Sequence, residues 1–101
     1  MPSVTVDKTP TDLVFDADAI ALVPKNGTTE SPVFSVRHLD YYEVQRVYAA
    51  DEVEAQTRVA FEIGLISIDG DKAQAEAFVE APIAQYGGAL WRYLWDHAMG
   101  N

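Results

Sequence analysis

The sequence predicts an α+β fold: a small N-terminal antiparallel β-region, either a hairpin or three strands, followed by about three α-helices. Two observations carry this prediction. Up to Leu39 the apolar residues alternate with polar ones or gather in short runs, as strands require. From Asp40 onward the apolar spacing changes to three and four residues, as helices require. A third observation sets the scale: a chain of 101 residues without cysteine makes a single domain over residues 1–101 that holds by packing alone, without disulfides or thiolate metal sites.

In the first part, Val4 and Val6 alternate with polar neighbours, Leu13-Val14-Phe15 is a short apolar run, and Ile20-Ala21-Leu22-Val23 stops at Pro24. Asn26-Gly27 predicts a tight hairpin turn, because both residues accept positive φ. Pro32 to Leu39 then alternates again, with Phe34 and Val36 on one face and Ser35 and Arg37 on the other.

Asp40 changes the period. It is a good N-cap, and Glu43 three residues on completes a capping box ahead of Val44, Val47 and Tyr48 at helical spacing. Asp51 repeats the device with Glu54, and Val53, Thr57, Ala60, Phe61 and Gly64 fall on one stripe. The expectation is a short helix to about Ala49 and a longer one from about Glu52 to Ile63, or the two joined as one bent helix, ended by Gly64 in the left-handed conformation. Leu65 to Ile68 is too short for a helix and too apolar for an open loop, so it is expected to pack under its neighbours before a turn at Asp69-Gly70-Asp71. The alanine-rich stretch Asp71 to Glu80 predicts one or two helical turns anchored by Phe78. A last helix from about Ala81 to Met99 takes Pro82 at its first position. Gly87-Gly88 within it costs about 1 kcal/mol per glycine relative to alanine, and so predicts a kink or a close approach by another backbone.

The net charge is −9, with sixteen carboxylates spread along the chain. Such a field repels phosphate backbones and anionic lipid, so neither nucleic acid nor a membrane is an expected partner. The same charge lets a small protein imitate nucleic acid and block a protein that binds it. The N-terminus lacks a basic region followed by an apolar run, and no stretch reaches the ~20 apolar residues of a membrane span. The expected location is the cytoplasm.

The chemical motifs read as structure. Asp69-Gly70-Asp71 could open a cation loop, but Lys72, Ala73 and Ala75 stand where oxygen ligands would follow. His38 and His97 lie beside Asp40 and Asp96 without a nucleophile in a recognisable setting. Paired acids such as Asp16 with Asp18, or Glu52 with Glu54, are expected among so many carboxylates as solvated surface, and Gly87-Gly88 has neither the spacing nor the lysine of a phosphate loop. No catalytic, cofactor-binding or metal-ligating residue is predicted, and the protein is not expected to be an enzyme.

The last helix is the exception to this blandness. Trp91, Trp95 and Met99 form one stripe, while Ile83, Tyr86, Leu90 and Leu94 form an adjacent one. Arg92, Asp96 and His97 mark the wet edge. Either the sheet and the first helices cover both stripes, or the tryptophan side is an interaction surface, where tryptophan is enriched at binding hot spots. The candidate protein-binding residues are Trp91, Trp95, Met99, Leu94 and Tyr86.

The stretch FSVRHLDYYEVQRVYAADEVEAQTRVAFEIGLISIDG, from Phe34 to Gly70, resembles the tail assembly chaperones of long-tailed bacteriophages. The matching pieces are Phe34, Val36, Arg37 and Leu39 in the strand, then Gly64-Leu65, then Asp69-Gly70. The resemblance implies a non-enzymatic protein that keeps a long helical tape measure protein soluble while the tail tube assembles around it. Trp91 and Trp95 would then anchor the helical client. Two other classes stay open: an acidic inhibitor mimicking nucleic acid, and a small structural subunit of a virion that contacts copies of itself as a homo-oligomer.

Overall fold

The structure is a computed structural model and describes residues 4–27 and 30–98. Strands β1 (Thr11–Asp16), β2 (Ala21–Pro24) and β3 (Phe34–Val36) lead into helices α1 (Tyr41–Tyr48) and α2 (Val53–Gly64). Strand β4 (Leu65–Ile68) follows α2, and helices α3 (Lys72–Glu80) and α4 (Ala84–Ala98) come last. The class is α+β, with four strands and four helices among the described residues, one helix and one strand more than the spacing had suggested. Among the described residues no helix is long and apolar enough to cross a membrane.

The four strands form one antiparallel sheet in the order β2-β1-β3-β4. Leu13 pairs with Phe34, Phe34 with Ile68, and Phe15 with Leu22, so these apolar residues share one face of the sheet. The hairpin expected at Asn26-Gly27 is not formed, because β2 and β3 each pair with β1 and not with each other. The hairpin lies instead at Ala17–Ile20. Its turn is made by Asp16, whose carboxylate accepts from the backbone N–H groups of Asp18 at 2.9 Å and Ala19 at 3.3 Å. The turn is held by a side chain, and Ile20 at its end takes the left-handed conformation (φ 52) that glycine would favour. Val4 to Pro10 form no strand.

Both helix-start predictions can be compared directly. At α1, Asp40 accepts from the Glu43 N–H and the Glu43 carboxylate accepts from the Asp40 N–H, a complete capping box. At α2 the N-cap is Glu52, not Asp51, and no side chain caps it. Asp71 caps α3 through the Ala73 N–H, and the helix runs nine residues where one or two turns were expected. Helix α4 starts at Ala84, two residues beyond Pro82.

Gly64 does not stop α2 in the left-handed region. It ends the helix in ordinary geometry and passes directly into β4, which serves as an edge strand. What Gly64 supplies is space, since a Cβ there would lie 2.6 Å from Leu94 Cδ2. At Gly87 side chains and not another backbone come close, Pro82 Cβ at 3.3 Å and Phe61 Cε2 at 4.0 Å from where a Cβ would lie, and Gly88 faces open space.

Every strand and helix contributes to one apolar cluster. Leu13, Phe34, Val36, Leu39, Val47, Phe61, Leu90 and Leu94 are its most enclosed large members. Phe34 meets Phe78 edge-on at 5.8 Å and Tyr86 at 5.4 Å, and Tyr86 meets Phe15 at 5.2 Å. Each such pair adds roughly 0.5–1.5 kcal/mol beyond the area it buries. These rings lock α3 and the start of α4 onto the sheet.

Candidate protein-binding surface

The five residues predicted on α4 are divided by the fold. Leu94 is fully buried against Gly64 and belongs to the core, so it is not available to a partner. Tyr86 sits in the first turns of the helix among Phe15 and Phe34. Nine residues separate it from Trp95, which at ~100° and ~1.5 Å per residue puts the two on opposite sides of α4 and about 13 Å apart along its axis. Met99 lies outside the described residues. Trp91 and Trp95 remain together, with ring centroids 4.9 Å apart, both half-buried and leaning on the core.

The partner that the tryptophans find comes from α1. Tyr48, half exposed, places its ring 5.6 Å from Trp95. Tyr41 is seven residues earlier, hence on the same side of α1. It is 70% exposed and its neighbour Tyr42 77% exposed, with ring centroids 5.7 Å apart. Between Tyr41 and Tyr48 on one side and His38 and His97 on the other runs a groove of ≈ 590 Å³ with Leu39 and Val44 in its lining. A second hollow of ≈ 420 Å³ shares Val6 and Tyr41 with it and extends to Tyr42 and Val4. Tyr41, Tyr42 and the N-terminal valines therefore line adjoining hollows, and Tyr48, which lines the larger one, connects them to Trp95 and, through it, to Trp91. Sequence reasoning missed Tyr41 and Tyr42. Their signal was two bulky rings in the first turn of a helix whose buried apolar residues are Val44 and Val47.

A small polar network holds this surface in place. Arg37, at the end of β3, donates from both terminal nitrogens to the Glu43 carboxylate and also to the His38 carbonyl. Glu43 is buried, and the Arg37 guanidinium holds its carboxyl below the ordinary range against the opposing effect of burial. Lys8 bonds Asp40 at 2.7 Å and lowers its carboxyl likewise. One residue, Glu43, thus caps α1, anchors Arg37 and lies within 3.8 Å of Lys8. The arrangement fixes α1, with its tyrosines, to the end of the sheet.

The chain matches no protein-family model, and neither the curated proteins nor the solved structures with which it was compared give a match.

Proposed function

We propose that the protein is a non-enzymatic assembly factor, working in the cytoplasm, that binds an apolar helical client during assembly. It follows the role that the Phe34–Gly70 resemblance gives to phage tail assembly chaperones, whose client is the tape measure protein. One observation carries the reading: the linked aromatic residues Tyr41, Tyr42, Tyr48, Trp95 and Trp91, with an open groove between α1 and the end of α4. Aromatic side chains combine a large apolar area with few rotors to freeze, which is why they dominate binding hot spots. An amphipathic helix docks in such a groove by its apolar stripe. The chain's net charge of −9 keeps a complex with an apolar client in solution.

The test is co-expression with the proteins encoded beside it, followed by tagged purification at low and high salt. The expected result is retention of a long helical protein at both salts, because apolar contact is not screened. Retention should fail in a Tyr41→Ser, Tyr48→Ser variant that stays folded. A nucleic-acid-binding protein retained at low salt and lost at high salt would overturn the reading in favour of charge mimicry. Self-association without any client would favour a structural subunit.

A further inference from the structure

The last turn of α4 is tied to the β3–α1 loop by a cluster that the apolar surface does not require. His38, in that loop, lies face to face with His97 of α4, ring centroids 4.6 Å apart and planes 22° from parallel. Tyr93 closes the cluster, its ring 4.2 Å from that of His97 and its hydroxyl 3.2 Å from His38 Nε2. His97 Nδ1 is 3.0 Å from the Tyr93 carbonyl oxygen, so that nitrogen carries its hydrogen and donates. The protein has two histidines in all, and the fold stacks them on each other in the wall of the groove.

We propose that His38, His97 and Tyr93 form a pH-sensitive latch. Closed while the imidazoles are neutral, it holds the end of α4 against the β3–α1 loop, and acidification releases it and widens the groove. The consequence for client binding rests on the assembly-factor reading, whereas the latch is a property of the free chain.

Neutral imidazoles stack favourably where the partly buried His38 meets the exposed His97, but a proton on each places two like charges 4.6 Å apart. The surroundings do not cancel this. From the N-terminal segment, Asp7 faces the groove and favours the charged form of His38. Burial and then His97 outweigh it, and the His38 imidazole lies below its ordinary value of 6.5. Lys8 is engaged with Asp40, and Arg37 with Glu43 and the His38 carbonyl. From α1 the groove is faced by Tyr41, Val44, Gln45 and Tyr48. On α4 the charged neighbours in the chain are Arg92 and Asp96, both exposed. A histidine with a lowered folded value binds fewer protons folded than unfolded. Its stabilising effect is therefore complete above the ordinary value and is lost as pH falls below it.

Native-state hydrogen exchange of the free chain, expressed as protection factors at pH 7.5 and pH 5.5, reads the latch directly. Protection at Trp95 to Ala98 should fall at least tenfold relative to α2 at the lower pH, in step with titration of the His38 ring by NMR. A His38→Phe, His97→Phe variant keeps two flat rings without charge and should abolish the drop. His97→Gln, which removes one charge with less change in packing, should reduce it. Equal protection at the two pH values, or an undiminished drop in either variant, would overturn the latch. Because no client is present, these outcomes are independent of the client experiment above.

Discussion

The two ends of α4 treat aromatic rings in opposite ways. At the start, Tyr86, half-buried like the tryptophans, meets Phe15 and Phe34 edge-on, and Phe34 in turn meets Phe78, so the rings there join helix to sheet. Toward the other end, Trp91 and Trp95 lean on the core from its margin, and the ring that meets Trp95, Tyr48, is half exposed. Beyond it stand Tyr41 and Tyr42, mostly in water. The same residue class thus serves as mortar at one end and as surface at the other. What separates the two is whether an apolar strand lies opposite: the sheet covers the first end, and the second faces a charged capping network and a groove.

The largest effect should come from cutting into the enclosed side. Leu94→Ala removes a fully buried side chain at the α2–α4 contact, and urea denaturation should show a loss of about 2–5 kcal/mol. A loss under 1 kcal/mol would mean that α4 is not seated as described.

Next is the network beneath the exposed side. Arg37→Ala leaves the buried Glu43 carboxylate without its main partner. A cost of roughly 2–3 kcal/mol is expected, below that of a fully enclosed pair because both side chains still touch water. The pH dependence has a definite sign. Glu43 is lowered from 4.5 in the fold, so its contribution is present above that value and lost as pH falls through the folded one. Acid titration of stability should accordingly be shallower in Arg37→Ala than in the parent.

Two glycines sharpen the contrast between enclosed and open positions. Gly64→Ala forces a methyl against Leu94 Cδ2 and should destabilise by about 1–2 kcal/mol, overpacking outweighing the gain in helix propensity. Gly88→Ala meets nothing within 4 Å and should stabilise by about 0.5–1 kcal/mol. Thermal melts of the two variants, moving in opposite directions, would check both.

The smallest stability change belongs to the exposed tyrosines. Tyr41→Ser with Tyr42→Ser should alter unfolding free energy by less than about 0.5 kcal/mol for each residue, as surface substitutions do. A larger loss would show that these rings hold the fold together, and would remove the basis for treating them as a binding surface.

What could be read directly in the sequence was local. The Asp40–Glu43 capping box lies within four residues, so its chemistry is complete on the page before any fold exists, and the α1 start follows from it. The period change at Asp40, the Asp69-Gly70 turn and the α+β class were legible for the same reason. The hairpin at Ala17–Ile20 was legible in principle through the Asp16 side chain, but Asn26-Gly27 offered a stronger local signal for a hairpin that the strand order does not form.

Tertiary structure alone decided which apolar residues were left over. Sequence spacing placed Leu94 and Tyr86 on one apolar stripe of a helix and Trp91 and Trp95 on another, but whether each is core or surface depends on what packs there. Gly64 admits Leu94 to the interior, the sheet claims Tyr86, and the short α1 reaches Trp95 with a half-exposed tyrosine. The pairing of His38 with His97 is likewise a product of the fold, joining two residues far apart in the chain. Periodicity reports which face of an element is apolar; only the meeting of elements determines how much of that face water can still reach.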